Sequence, residues 1–162
     1  MYWAEERLGS ERIKTAYAYQ DLLKQNGWLA LGTDFPVEDI NPFKTFLASV
    51  ARKDAQNYPE NGFQKENALT REQTLRGMTI WAAKSVFQEK ERGSLEVGKN
   101  ADFIILNQDL MKIDEKDILK TKVLETWVDG TKTYYNQKYF DDLAKKLSGR
   151  TVSLDIIEAK AK

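Results

Sequence analysis

One apolar run dominates the first half of the chain: the segment WLALGT at residues 28–33, followed directly by the carboxylate of Asp34. An apolar run without polar alternation is typical of a strand buried on both faces, as in a parallel sheet covered by helices. In α/β folds, polar residues at the carboxyl end of such strands carry the chemistry. The run therefore predicts a buried strand over residues 28–33 and makes Asp34 the first candidate functional residue.

Helical patterns lie on both sides of this segment. Residues 10–26 place apolar groups at near-helical spacing, with Ser10 as a possible cap and Gly27 as the stop. Asn41 followed by Pro42 predicts the start of a second helix, because proline suits the first helical position. The apolar stripe of this second helix consists of Phe43, Phe46, Leu47 and Val50. Helix, turn, buried strand, loop and helix in this order form one slice of an α/β fold.

Two further helices are predicted downstream. Thr70 and Gln73 match a capping box, and the helix that they begin carries an apolar face as far as Val86. A terminal helix is predicted over residues 139–147. Between these helices, from about residue 92, the pattern changes to β.

The β-rich part contains three short strand patterns. Residues 102–107 are one predicted strand, with Asp102 ordering the turn that leads into it. Residues 123–128 and 131–135 are two more, joined by Asp129-Gly130, which is a strong hairpin signal. The first 91 residues, in contrast, hold one convincing buried strand. A single strand leaves its N–H and C=O groups without partners. Other copies of the chain therefore complete the sheet, or the sequence is a piece of a larger unit.

Composition excludes several kinds of site. The 162 residues contain no His and no Cys, which rules out thiolate metal sites, disulfides and a histidine base within this sequence. Lys+Arg and Asp+Glu are both 25, so no overall charge attracts nucleic acid or an anionic membrane. The apolar runs are far shorter than the ~20 residues of a membrane span. The sequence predicts neither a nucleic-acid nor a membrane partner, and it selects no compartment.

Four segments in order carry recognisable patterns: ALGTDFPV at 30–37, LTREQTLR at 69–76 with TIWAA at 79–83, GSLEVGKNADFIIL at 93–106, and VLETWVDG at 123–130. They resemble the signatures GSD-x-PV, LT-x-EEALR…YT-x-NAA, GSIEPGK-x-ADLVVLD and V-x-x-TWV-x-G of the amidohydrolase superfamily. The nearest branch is the amidohydrolase-3 group, which includes N-substituted formamide deformylases. The resemblance covers roughly residues 10–136, and its most specific piece is the segment 93–106.

The resemblance implies an α/β fold, namely the C-terminal slice of a (β/α)8 metal-dependent hydrolase barrel plus part of a small β-sandwich. Residues 1–91 would supply the last barrel strand and its helices, residues 92–136 the C-terminal part of the sandwich, and residues 137–162 a terminal helix and tail. Because a (β/α)8 barrel takes about 250 residues, we expect this sequence to be a C-terminal fragment. Its main partner would then be the remainder of the barrel.

The resemblance also gives Asp34 a role as catalytic residue and metal ligand. In the family this aspartate binds or faces the metal and carries a proton from the attacking water to the leaving group. The family's other ligands, an HxH pair, a carboxylated Lys or acidic residue and two later His, find no match here. We therefore expect a divalent metal, zinc, in the full-length enzyme and none bound to this fragment. From position alone, Asp34 could equally order the turn before Pro36, with Phe35 and Val37 either packing the loop or lining a pocket.

The predicted function is the C-terminal part of a metal-dependent amidohydrolase that hydrolyses non-peptide C–N bonds in small amides or formamides, with no activity in the fragment alone. Two alternatives remain open. One is a non-catalytic association domain that binds itself or a partner through an exposed strand edge. The other is one chain of a split hydrolase, in which a second chain supplies the His ligands.

Overall fold

The computed structural model describes residues 2–148, which form helices in the first half and a small antiparallel sheet in the second. The helices of the described part are α1 (Tyr2–Arg12, broken at Gly9), α2 (Tyr19–Asn26), α3 (Pro42–Ala51), α4 (Arg71–Met78), α5 (Ile80–Ser85) and α6 (Gln137–Ser148). The strands are β1 (Phe103–Leu106), β2 (Val123–Val128) and β3 (Thr131–Tyr135). Short 3₁₀ helices span Ile13–Thr15, Lys65–Asn67 and Glu115–Lys120. No helix in this part is long and apolar enough to cross a membrane.

The helix boundaries follow local capping signals. The Asn41 side chain accepts a hydrogen bond from the Phe43 N–H at 3.0 Å, and Pro42 opens α3 as predicted. The capping box at the start of α4 is also confirmed, because the Gln73 N–H donates to Thr70 Oγ1 at 3.1 Å and the Thr70 N–H to Gln73 Oε1 at 2.8 Å. Gly27, with φ 73°, ends α2. Each end is therefore fixed by residues next to it in sequence.

Two predicted helices are divided in the structure. Ser10 directly follows the break at Gly9 and so begins the second part of α1, and the chain passes through a 3₁₀ turn before α2 begins at Tyr19. The helix predicted from Thr70 to Val86 breaks at Thr79, which has φ −126° and ψ −96°. The Thr79 hydroxyl donates to the Leu75 carbonyl at 2.7 Å, a local bond that competes with the helical ladder.

The predicted strand over residues 28–33 is not a strand in this structure. The Leu31 N–H donates to the Gly77 carbonyl at 2.9 Å, at the end of α4 and not in a ladder. Residues 28–31 are half-buried, not buried on both faces. The physical reason is that a strand needs a neighbouring strand, and the sheet of the described residues holds only β1, β2 and β3. The apolar side chains of residues 28–33 are instead covered in part by α4.

The sheet has the order β1-β2-β3 with antiparallel neighbours, so the predicted hairpin is confirmed. Asp129 and Gly130 both have positive φ, 49° and 71°, as a tight hairpin turn requires. The Asp129 N–H donates to Asp102 Oδ1 at 2.7 Å, so Asp102 orders the β2–β3 turn as well as standing before β1.

The hydrophobic core lies on α3. Its buried residues are Phe43, Phe46, Leu47, Val50, Ala51 and Ile118. Ile118 belongs to the 3₁₀ helix Glu115–Lys120, and partly buried residues such as Leu106 and Val123 pack on the same cluster. The described chain therefore packs its α3 helix against the β-rich half. The division at residues 91 and 136 stays a prediction, and residues 149–162 of the predicted tail lie outside the described residues.

A charged cluster on the sheet makes stability sensitive to acid. Glu125 accepts hydrogen bonds from Lys132 Nζ at 2.9 Å and from the Trp127 indole at 2.8 Å. These bonds, that from Lys132 first, hold the pKa of Glu125 below its ordinary value of 4.5. Trp127 in turn stacks on Phe103 of β1, with the ring centroids 5.5 Å apart.

We expect the free energy of unfolding to fall as the pH drops below 4.5, the ordinary pKa of Glu125. A carboxyl with a depressed folded-state pKa stabilises the fold fully above its unfolded pKa and loses that contribution as it is protonated. Glu125→Gln should lose less free energy of unfolding than the parent as the pH falls below 4.5, and its pH dependence near neutral pH should be unchanged. Urea unfolding at a series of pH values measures both regions. An equally steep loss at acid pH in the variant and the parent would contradict the assignment.

Candidate functional site

Asp34 lies at the exposed start of the loop that follows residues 28–33. Its backbone is left-handed, with φ 55°, a conformation that Asp tolerates better than most residues. Its carbonyl accepts the Val37 N–H at 2.8 Å, and Thr33 Oγ1 accepts the Phe35 N–H at 3.3 Å. The turn therefore fixes the backbone of Asp34, and the residue as a whole stays exposed to solvent.

Helices α4 and α5 hold the segment that leads to Asp34. The Leu31 N–H bonds to the Gly77 carbonyl, and Lys84 Nζ lies 4.8 Å from the centroid of the Trp28 ring. A Cβ placed on Gly77 would lie 2.8 Å from Leu31 Cδ1 and 3.0 Å from the Leu29 carbonyl oxygen. Gly77 therefore allows the backbone of this segment to approach α4 more closely than a side chain would permit.

We expect Gly77→Ala to destabilise the protein by about 1–2 kcal/mol. Overpacking at a tight contact costs about 1–3 kcal/mol, whereas replacing Gly by Ala inside a helix gains up to about 1 kcal/mol. The Leu31 side chain can move, but the Leu29 carbonyl is backbone and yields less. Urea unfolding of the variant measures the difference.

Gly32→Ala is the matched control, because Gly32 lies in the same segment and a Cβ there meets nothing within 4 Å. We expect its free energy of unfolding to stay within about 0.5 kcal/mol of the parent, since surface changes away from tight contacts have effects of that size. Equal losses in the two variants would show that the contact with α4 is unimportant.

The remaining residues predicted for the site are exposed around Asp34. Phe35 is 60% exposed and Val37 77% exposed, so neither is buried in the loop. Two surface clefts of about 340 and 350 Å³ lie elsewhere, and Asp34 lines neither. The described residues thus place the predicted site on an open surface rather than in a pocket.

The donor set of this chain does not fit a metal ion of the kind that the resemblance implies. Zinc takes at least three protein ligands in its catalytic sites, commonly His. The sequence contains no His and no Cys. Within residues 2–148 no three acidic side chains are grouped so as to hold a metal. Asp34 could supply one ligand at most, so we derive no chemical step through a metal here.

Sequence reasoning missed Gly77, which lies inside the predicted helix 70–86. The available signal was an isolated glycine in a helical pattern, which often marks close packing. It also missed Arg71, whose guanidinium donates to the carbonyls of Leu110 and, at 2.6 Å, of Ile113. Arg71 joins α4, which holds the Asp34 segment, to the connection between β1 and β2.

The model of the amidohydrolase family matches residues 1–134, a range that includes Asp34, the α4 helix, β1, β2 and all but the last residue of β3. The chain belongs to the amidohydrolase family. The membership predicted from four motifs is therefore confirmed.

Individual relatives match over most of this chain. It is 37% identical over 130 residues to Protein LONG AFTER FAR-RED 3 of Arabidopsis thaliana, covering 80% of this chain and 22% of that protein. It is 29% identical over 106 residues to the N-substituted formamide deformylase of Arthrobacter pascens, covering 65% of this chain and 19% of that protein. An amidohydrolase structure from Thermotoga maritima MSB8 aligns with a TM-score of 0.47 and 23% identity, over 74% of this chain and 26% of its own. The chain spans about a fifth of the length of the two curated relatives.

Proposed function

We propose that this amidohydrolase-family chain forms the C-terminal part of a hydrolytic unit that cleaves non-peptide C–N bonds in small amides or formamides. The observation that carries the proposal is Asp34, an exposed carboxylate on a fixed turn inside the family-matched region. The N-substituted formamide deformylase among the relatives supports the substrate class, because its name states a C–N substrate.

The segment before Asp34 is suited to become a strand of a larger sheet. Of residues 28–33, Leu31 is the one whose N–H bonds to another main-chain group within the described residues. The other main-chain groups of the segment can bond to a neighbouring strand, and its apolar side chains can be covered by that neighbour. We propose that residues 28–33 form the last strand of a (β/α)8 barrel when the rest of the family fold is present. Asp34 would then stand at the carboxyl end of that strand, where barrel enzymes place catalytic groups.

Asp34 has the chemistry for proton transfer in amide hydrolysis. A carboxylate within hydrogen-bond distance of an attacking water can take its proton and deliver it to the leaving nitrogen. The reaction needs further groups to polarise the carbonyl, and this sequence has no His to provide them. We propose that a divalent metal and its remaining ligands come from the other part of the hydrolytic unit. Since that part is needed, we expect no turnover by the present chain alone.

A fusion experiment tests the proposal. The chain is joined behind the portion of the Arthrobacter pascens deformylase that precedes its matching region, and a cooperative thermal transition verifies that the fusion folds. We expect the fusion to hydrolyse N-substituted formamides or simple amides in the presence of zinc, and the chain alone to be inactive. Supplying the deformylase portion as a separate polypeptide tests the split-hydrolase alternative in the same assay.

Two results would contradict the proposal. A folded fusion that releases no amine or carboxylate from any of the N-substituted formamides and simple amides tested would contradict the hydrolytic role. Turnover by the chain alone, lost in Asp34→Asn, would exclude the need for a completing part. The association-domain alternative predicts no turnover in either form.

A further inference from the structure

Helix α6 lies outside the family-matched region, which ends at residue 134. Tyr139 and Phe140 are half-buried, and every residue from Asp141 to Ser148 is exposed. Leu143 and Leu147 are 40% and 51% exposed. The described chain therefore leaves most of this helix uncovered.

The first turn of α6 is anchored and the rest projects from the sheet. The Tyr139 N–H donates to Asn136 Oδ1 at 3.1 Å, and the Phe140 ring stacks on Tyr135 with centroids 4.7 Å apart. A helix of this length is about 18 Å long, and isolated helices shorter than about 12–15 residues are marginal in water. The projecting part of α6 thus gains stability if its apolar side is covered.

One apolar stripe runs from the anchored first turn, where Phe140 is half-buried, into the uncovered part of α6, and it has the pattern of a helix–helix contact. Phe140, Leu143 and Leu147 stand at i, i+3 and i+7, which places them in one stripe. Asp142 and Lys146 lie together along one flank of that stripe, one turn apart. This flank borders a cleft of about 340 Å³, which Lys122 also lines.

We infer that α6 pairs with α6 of a second copy of this chain, in antiparallel orientation about a two-fold axis near Leu143 and Ala144. In this arrangement the part of Phe140 that Tyr135 leaves exposed meets Leu147 of the other copy, and the two Leu143 side chains pack near the axis. Asp142 of each copy lies beside Lys146 of the other, so the symmetry forms two opposite-charge pairs. Lys122, which lines the same cleft, adds a second cation that favours the incoming carboxylate.

Charge selects a second copy over a lipid surface. Asp142 lies near the centre of the helix, where its charge is repelled by an anionic membrane, whereas it complements Lys146 of an antiparallel copy. An 18 Å helix pair buries less than the roughly 1,200 Å² of a standard interface, so the dimer belongs to the weak, transient class. We therefore expect a dissociation constant no tighter than the micromolar range.

Sedimentation velocity of the full chain over a concentration series tests the pairing. We expect a reversible monomer–dimer equilibrium that is weakened at least about fivefold in Asp142→Lys and in Lys146→Asp, because each places like charges together twice. Mixing these two variants in equal amounts should restore association, since each copy then offers the charge that the other needs. If the two substitutions acted only by disturbing the contact between Asp142 and Lys146 within one helix, mixing the variants would not restore association.

Two further variants localise the contact. Asp141→Lys makes the same charge change on the opposite side of α6 and should leave the equilibrium unchanged. Leu143→Asp should remove dimerisation with the thermal transition of the dilute protein unchanged, because Leu143 is exposed in the single chain.

Several results would overturn the inference. A chain that is monomeric throughout the series has no such dimer. A dimer that persists in Leu143→Asp uses another surface. Pelleting with anionic vesicles in place of dimerisation would identify a lipid surface as the occupant.

Discussion

Replacing Asp34 by Asn should lower kcat/KM of the completed hydrolase by about 10²–10⁴-fold, the usual contribution of a positioned acid or base. Asn has the same shape and the same tolerance of the left-handed backbone that Asp34 adopts, with φ 55°. It cannot accept a proton in the relevant pH range. The substitution thus separates proton transfer from the turn geometry, and steady-state kinetics of the fusion described above measure it.

Glu38→Gln is the matched control for Asp34→Asn. Glu38 is an exposed carboxylate on the same loop, four residues downstream. Removing its charge should leave kcat/KM within about threefold, since an exposed charge acts weakly through screened solvent. Equal losses in the two variants would mean that the loop's net charge matters and that Asp34 is not the proton carrier. An Asp34→Asn fusion that keeps parental kcat/KM would remove Asp34 from the mechanism.

The features that the sequence predicted well are those decided by neighbouring residues. Asn41-Pro42, the Thr70–Gln73 capping box and the Asp129-Gly130 turn each contain their own hydrogen-bond partners or backbone preference. The structure has all three at the predicted positions. Local signals of this kind need no knowledge of the rest of the fold.

The features that the sequence predicted poorly depend on distant partners. Residues 28–33 have the composition of a buried strand, but a strand forms only beside another strand, and residues 2–148 place α4 there instead. The apolar periodicity continues through Thr79, yet the helix breaks there because the threonine hydroxyl bonds to the Leu75 carbonyl. Periodicity reports which residues prefer burial; it does not report what buries them.

The candidate site shows the same distinction. Asp34 was recognisable from the sequence because its motif and its place after an apolar run are both local. Gly77 was not, since its importance comes from the approach of Leu29 and Leu31, more than forty residues earlier in the chain. The sequence contains no His, which excludes a histidine ligand or base within this chain, and the proposal of a completing part rests on that composition.

Phe46→Ala should be the most destabilising single substitution among those considered, at about 3–5 kcal/mol. Phe46 is 1% exposed and lies in the core cluster with Ile118, which comes from the β-rich half. Removing the ring leaves a cavity between α3 and the 3₁₀ helix Glu115–Lys120, and close-packed interiors fill such cavities only in part. Because this cluster joins the two halves of the described chain, we expect the melting temperature to fall by about 10 °C.

Phe87→Ala provides the control for Phe46→Ala, because it removes the same ring from a position that is 92% exposed. Its melting temperature should stay within about 2 °C of the parent. Circular dichroism at helical wavelengths and tryptophan fluorescence should report the same midpoint in Phe46→Ala if α3 and the β-rich half unfold together. Separate midpoints would show that the two halves are independent units, and the shared core on α3 would then not be what holds the Asp34-bearing half to the sheet.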